Sequence, residues 1–475
     1  MEKKICHLVL KNSKGKQKFM NDYKGIKNFN IDIPKSVKMI ISILEKNGYE
    51  AFAVGGCVRD TILGRTPQDW DITTSALPHQ VKALFNKTID TGIQHGTVTV
   101  MMSRVGYEVT TYRIDGEYKD SRHPDSVEFT SNLIEDLKRR DFTINAMAYN
   151  PTVGLVDAFD GMGDIERKVI QCVGVAEERF GEDALRILRA VRFSAQLGFD
   201  IEENTMKAIK KMAGTLEHIS AERIRVELEK LITSNHPDKL ITAYQAGITK
   251  VILPEFDRMM ECEQNTPYHM YNVGEHTIKV MKNVPNTKVM RWAALLHDVG
   301  KPDCVTYDKK NPERVHFYGH AKKGSLMVPG IMRRLRMDNK TIKLVTRLVE
   351  CHDDRTAAGE MKPVSVRKSV HKIGKDIYKQ YLQLAYADFQ GKSEYGRQKG
   401  FDKYLYTCEQ FQYIMEHHIC TSKAEMAVSG KDLIEIGCPK GEIIGDILDE
   451  LLKRVIENPE LNEKNQLLEI ARKMF

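Results

Sequence analysis

Apolar residues recur every three or four positions over residues 35–47, where Val37, Ile40, Ile41 and Leu44 share one face. The spacing predicts an amphipathic helix there. Over 50–170 the pattern shifts to short apolar runs, at 50–54, 97–101 and 107–112, separated by glycine-containing turns. This is mixed α and β structure. In 107–112 the alternation puts Tyr107, Val109 and Thr111 on one face and Glu108 and Thr110 on the other. Beyond 175, long segments of 3.6-residue period dominate, as in 183–197, 221–233 and 289–299, with no comparable strand signals. The expected fold class is α+β, a mixed-sheet head followed by a mostly helical remainder. Breaks in the pattern at 235–238, 262–267 and 391–400 mark candidate joints.

At 475 residues, with 41% hydrophobic and 29% charged positions, the chain is globular and long enough for several domains. It carries no apolar run of membrane-spanning length and no apolar segment behind its basic start, so neither a membrane span nor a signal peptide is expected. Nine cysteines without a Cys-x-x-Cys pair point away from a disulfide framework and toward a reducing cytoplasm. The net charge of +7 is unevenly spread. Residues 1–30 hold eight lysines against Glu2 and Asp22, which leaves the body nearly neutral. Any nucleic-acid surface must then be a segregated patch, and 1–30 is expected to be a loosely ordered basic leader.

The first concentration of chemistry is acidic. Gly55-Gly56-Cys57-Val58-Arg59-Asp60 follows an apolar run and opens a helical pattern, so backbone N–H groups can approach a phosphate closely there. Asp69-Trp70-Asp71-Ile72 follows. On a strand, Asp69 and Asp71 would project from one face, an arrangement that is costly without a cation between them and that suits Mg²⁺. Glu108 on the same side would complete a two-metal cage; the alternative is a solvent-facing sheet glutamate. Further on, Arg139-Arg140-Asp141-Phe142-Thr143-Ile144-Asn145 mixes phosphate-type donors with an acid and an amide. Asp183, Arg186, Arg189 and Arg192 then step by three along one expected helix face. They are either intrahelical ion pairs or an excess of positive charge suited to a triphosphate or an RNA backbone.

In this order and spacing, Gly-Gly-x-Val-Arg-Asp, Asp-Trp-Asp-Ile-Thr-Thr-Ser-Ala, Glu-Val-Thr-Thr-Tyr-Arg, Arg-Arg-Asp-Phe-Thr-Ile-Asn-Ala and Glu-Asp-Ala-Leu-Arg resemble the class II tRNA nucleotidyltransferases. These are the bacterial-type CCA-adding enzymes and their poly(A) polymerase relatives, and the likeness covers about residues 50–235. It implies a polymerase β-like head that joins CTP and ATP to a tRNA 3′ end by two-metal chemistry. It further implies Asp69, Asp71 and Glu108 as Mg²⁺ ligands, and Gly55, Gly56, Arg59, Arg140, Asp141, Asn145, Arg189 and Arg192 around the nucleotide. Asp183 and Arg186 would read the base. Arginine only donates and an ionised aspartate only accepts, a pair that matches cytosine and adenine and leaves uracil and guanine unpaired. Residues 115–124 resemble the family's flexible loop for adding the terminal A, which disfavours a CC-only enzyme.

The helical half holds His276, His297-Asp298, His320, His352 and Asp388. Imidazole and carboxylate together suit a divalent transition metal. Glu-His-Thr, Leu-Leu-His-Asp-Val-Gly-Lys, Gly-His and Ala-Asp at these positions resemble the HD-domain metal phosphohydrolases. The implied activity is hydrolysis of phosphomonoesters or cyclic phosphodiesters. The expected domains are a leader (1–30), catalytic head (31–172), helical neck (173–262), HD domain (263–395) and tRNA-binding tail (396–475). Two other readings stay open, a bacterial-type poly(A) polymerase and an HD phosphohydrolase whose first half only binds RNA. Intact Asp69, Asp71, Glu108 and Arg186 argue against the latter, and an acidic C-terminal stretch against the former. The sequence carries no signal for oligomeric state. Deleting residues 1–30 should weaken tRNA binding at most modestly; loss of catalysis at saturating tRNA would contradict that.

Overall fold

The period-2 runs of the first 160 residues assemble into one sheet. Its strands are β1 (Ala51–Val54), β2 (Ile72–Thr74), β3 (Thr88–Gly92), β4 (Thr97–Met102), β5 (Val105–Thr111), β6 (Met147–Asn150) and β7 (Gly154–Asp157). They lie in the order β7-β6-β1-β2-β5-β4-β3. Only β2 and β5 run parallel, with Ile72 beside Val109 and Thr73 beside Thr110; every other neighbouring pair is antiparallel. Ile72, Val98, Val100 and Val109 are buried. The helix Lys35–Lys46 packs on β1 and β2 with the four predicted residues inward. Leu133 and Leu137, from the short helix Leu133–Lys138, join Phe52, Val54, Tyr112 and Ala148 in a second core.

This computed structural model describes residues 8–11, 17–20, 30–116, 127–311, 313–354 and 361–475. Contacts divide the chain into two units, residues 1–227 with 242–252, and residues 228–241 with 253–475. Within the expected leader, Leu8–Lys11 and Gln17–Met20 pair as antiparallel strands, a hairpin that the lysine-rich composition did not suggest. The other leader residues up to 29, and residues 117–126, which hold most of the expected flexible loop, lie outside the described residues.

The second unit is helical. Val273–Asn283, Lys288–Leu296, His320–Arg334, Asn339–Cys351 and Tyr378–Gln390 pack into one bundle, and Trp292 on the second of them is fully buried. A Cβ on Gly300 would collide with the His320 carbonyl and with Gly324, so this glycine lets the turn after Asp298 lie directly on the next helix. A two-stranded ribbon, Thr306–Tyr307 with Val315–His316, interrupts the helices, against the expectation of no strands. The tail has its own core, including Leu433, Leu451, Leu452, Val455 and Leu467.

Two expectations need correction. Residues 391–400 are not a joint: Ser393 caps a 23-residue helix, Glu394–Glu416, that runs through most of the segment. Its glycines serve packing, since a Cβ at Gly400 would press on Phe389 at 3.0 Å and one at Gly396 on the Tyr268 carbonyl at 3.1 Å. The helix expected from residue 183 begins at Leu185. Asp183 is extended, at the end of Ala176–Glu182, and its carboxylate takes the Leu185 N–H at 3.1 Å. A short acidic side chain competes for backbone donors in this way and favours the break. Among the described residues no helix is long and apolar enough to cross a membrane.

Candidate functional site

β2 begins at Ile72, so Asp69-Trp70-Asp71 is the chain entering the sheet rather than part of a strand. The Asp71 carbonyl accepts the Val54 N–H at 3.0 Å, which keeps the segment in line with β2. One step before Ile72 and Val109, the parallel register sets Asp71 alongside Glu108. All three carboxylates reach solvent. Protein crowding still strips hydration from Asp71 and pushes its pKa up to about 6; Arg140 opposes the rise, and Asp69 and Glu108 add to it. Among the described residues, the ligand groups drawn within 4.8 Å of one another lie in the second unit, and these three carboxylates are not among them. Mutual repulsion opposes closer approach, and a cation between them would relieve it.

Gly55 has φ of +83° at the start of Gly56–Ile62, a conformation that glycine tolerates without strain. A Cβ there would lie 2.9 Å from Arg140 Nη1, so the guanidinium rests directly on the backbone. Arg140 Nε is buried without a hydrogen bond, while part of the side chain remains exposed. Arg59, Asn145, Asp141 and Arg189 form one chain of contacts. Arg59 Nη1 donates to Asn145 Oδ1 at 2.6 Å, and Asn145 Nδ2 donates to Asp141 Oδ1 at 3.1 Å. Arg189 grips Asp141 Oδ2 at 2.9 and 2.6 Å. Burial would raise the pKa of Asp141, but Arg189 holds its carboxyl well below the usual range.

Arg139, Arg140, Asp141, Asp183, Leu185, Arg186, Arg189 and Arg223 line a cavity of about 260 Å³. Asp183 pairs with Arg223 at 2.7 Å. Arg186 pairs with Glu182 and donates to the carbonyls of Arg179 at 3.0 Å and Arg139 at 3.1 Å. Arg192 does not join the stripe. It is 6% exposed, lies 3.6 Å above the Phe193 ring, and pairs with Glu227 at 2.8 Å. The supposed surplus of positive charge is therefore largely neutralised, by Glu182, Glu227 and Asp141. Sequence reasoning missed Glu182, Arg223 and Glu227, although the last two lie on the polar face of the expected 221–233 helix.

In the second unit the six predicted histidines and aspartates converge. His276, His297 and Asp388 form one group, and Asp298, His320 and His352 another. Asp298 faces both, with Oδ2 3.2 Å from His297 Nε2 and 3.8 Å from His276 Nε2. Its Oδ1 lies 3.4 Å from His320 Nε2 and 3.5 Å from His352 Nε2. The Nδ1 atoms of His297, His320 and His352 each face a backbone carbonyl, at 2.8, 2.8 and 2.7 Å. With Nδ1 protonated, every Nε2 lone pair points inward. Burial keeps His276 and His320 neutral by lowering their pKa, as metal ligation requires. Burial would raise Asp298 and Asp388, but His297 with Lys301, and Lys392 with His276, hold them well below the usual range. His297 Nε2 is buried without a hydrogen bond. These donors fit a divalent transition metal. Asp298, His320, His352 and Asp388 open on a cavity of about 920 Å³ that Lys301, Lys392, Arg314 and Lys399 also line.

The family of the poly A polymerase head domain matches residues 51–171. That of the RNA and SrmB-binding site of polymerase A matches 198–260, and that of tRNA nucleotidyltransferase domain 2 matches 321–471. A CCA-adding enzyme of Leuconostoc mesenteroides is 35% identical over 438 residues, covering 91% of this chain and 94% of that protein. One from Lactobacillus delbrueckii subsp. bulgaricus is 57% identical over 192 residues, 40% of this chain and 48% of its own length. The crystal structure of the Bacillus stearothermophilus CCA-adding enzyme in complex with CTP aligns with a TM-score of 0.67 at 30% identity, covering 92% of this chain and 96% of that one.

With its pKa raised, Asp71 would hold a cation in a pH-dependent way. Mn²⁺ affinity of the head, followed by electron paramagnetic resonance in a variant lacking the second-unit histidines, should fall as pH drops through about 6. An affinity flat across that range would contradict the crowding of Asp71.

Proposed function

The chain belongs to the CCA-adding enzymes, and on that premise we propose that its head builds or repairs the 3′-terminal CCA of tRNA from CTP and ATP. The observation that carries the reading is the cavity in which Asp183 and Arg186 stand beside Arg140. The ion pairs to Arg223 and Glu182 orient an acceptor and a donor toward one small volume. A base that offers an amino donor beside a ring acceptor satisfies both; uracil and guanine present the reverse edge.

Nucleotidyl transfer of this kind uses divalent metal, and Asp69, Asp71 and Glu108 are the residues that would hold it. Mg²⁺ there would neutralise phosphate charge and acidify the attacking hydroxyl. Arg140, resting on the Gly55 backbone, would meet the triphosphate with the exposed part of its guanidinium. Arg189, Asp141, Asn145 and Arg59 then act by keeping the wall of the pocket rigid. The head and neck (31–172 and 173–262) would carry this chemistry, and the tail (396–475) would grip tRNA. The eight described cysteines are free, in keeping with a cytoplasmic site of action.

A second reading is favoured by the buried histidine and aspartate set: the 263–395 segment is a metal phosphohydrolase. A transition metal there would polarise a phosphoryl oxygen and activate water. Lys301 and Lys392, 2.7 Å from Asp298 and 2.8 Å from Asp388, would face the phosphate of a monoester or a cyclic diester.

Offered tRNA that ends before the CCA, with Mg²⁺, CTP and ATP, the protein should add three nucleotides. A long A ladder would indicate a poly(A) polymerase, and no extension an RNA-binding head. Asp69→Ala or Asp71→Ala should abolish extension, and His297→Ala should leave it intact. Metal-stripped protein should gain phosphatase activity with Ni²⁺, Co²⁺ or Mn²⁺, and His297→Ala should remove it; no gain with any of the three would overturn the second reading.

A further inference from the structure

We propose that Asp136 is the positioning residue of the nucleotidyl-transfer site: one buried carboxylate that sets the catalytic acids and the nucleotide arginines relative to each other. The proposal rests on the head being catalytic. Asp136 lies on the helix Leu133–Lys138 and is 0% exposed. It is neither a metal ligand of the expected kind nor part of the cavity lining.

Its two oxygens gather donors from three directions. Oδ2 accepts the Thr73 hydroxyl at 3.0 Å and lies 3.6 Å from Arg140 Nη2. Oδ1 accepts Arg139 Nε at 3.0 Å and Nη2 at 2.8 Å, and the Arg113 N–H lies 3.4 Å away. Each partner leads to the site. Thr73 lies on β2, two residues past Asp71. Arg113 stands just beyond β5, which carries Glu108. Arg140 lies on Gly55 and acts electrostatically on Asp71. The Arg139 carbonyl accepts from Arg186.

A buried carboxylate is tolerated only when its acceptor capacity is filled, and these donors fill it. The same bonds bring together groups that are far apart in sequence. The acids at Asp69, Asp71 and Glu108 repel each other, so their spacing must be imposed from outside. The Asp136 contacts to β2 and to the start of the chain beyond β5 lie where such a constraint would act. Arg140 is held by the same carboxylate, so the phosphate donor and the acids share one reference point.

The test is Asp136→Asn, which keeps shape but exchanges one acceptor for a donor facing arginine. In folded enzyme, kcat for CTP addition and for ATP addition should both fall by about 10- to 100-fold. The KM for tRNA should stay unchanged and the half-saturating Mg²⁺ concentration should rise. A purely structural role would lower Tm while leaving kcat per folded molecule and the Mg²⁺ dependence as in the parent, and that result would overturn the proposal. Should Asp136→Asn not fold, Thr73→Val removes one donor isosterically. It should raise the Mg²⁺ requirement and lower kcat in the same direction, and parental values for both would equally overturn the proposal. Complete loss of extension by the unaltered protein would instead indict the catalytic reading of the head.

Discussion

Three carboxylates that repel one another must be held side by side, and the rest of the head is arranged around that constraint. Asp69 and Asp71 enter the sheet just ahead of β2, and Glu108 sits on β5, the parallel neighbour of β2. The pairing that brings them together is also the sheet's only parallel one. Apolar burial of Ile72 and Val109 on the opposite face opposes the repulsion, and Arg140 supplies the nearest countercharge. Beside it, Arg186, Arg189, Arg223 and Arg139 of the arginine-lined cavity pair with Glu182, Asp141, Asp183 and Asp136, so much of its positive charge is met while it remains strongly polar.

The second unit meets the same difficulty differently. There the charges are buried, and backbone carbonyls orient the imidazoles while two lysines stand against the aspartates. Gly300 makes this possible by letting the turn that follows Asp298 touch the helix that begins at His320. Two acidic clusters offset the basic residues, so a chain with anionic partners has a nearly neutral body. The arithmetic of charge says little here, and its distribution says a great deal.

Much of this was legible in the sequence because it is local. The 35–46 helix and the alternation around Glu108 follow from periodicity alone, and the order of the motifs carried a family resemblance. What was misread depends on partners distant in the chain. Arg192 looked like a surface residue until Glu227 and Phe193 enclosed it. Asp183 looked like the first residue of a helix, but it turns to Arg223 and to the Leu185 N–H instead. The segment 391–400 suggested a joint, yet its Gly396 and Gly400 sit where Tyr268 and Phe389 leave little room for a Cβ. Periodicity reports which face of an element is buried; it does not report what lies opposite.

Asp69, Asp71 and Glu108 crowd one another, and a cation among them would relieve the repulsion. Asp71, with its pKa raised to about 6, contributes stability that is present at acidic pH and lost as pH rises toward that value. The direct measurement is the Tm of the parent and of Asp71→Asn, in the first unit's unfolding transition, at mildly alkaline pH with and without Mg²⁺. Without Mg²⁺ the variant should melt higher than the parent, and Mg²⁺ should raise the parent and leave the variant nearly unmoved. A variant that melts lower than the parent without Mg²⁺, or a parent indifferent to Mg²⁺, would contradict the claim that a crowded carboxylate cluster built for a cation lies at the centre of this head.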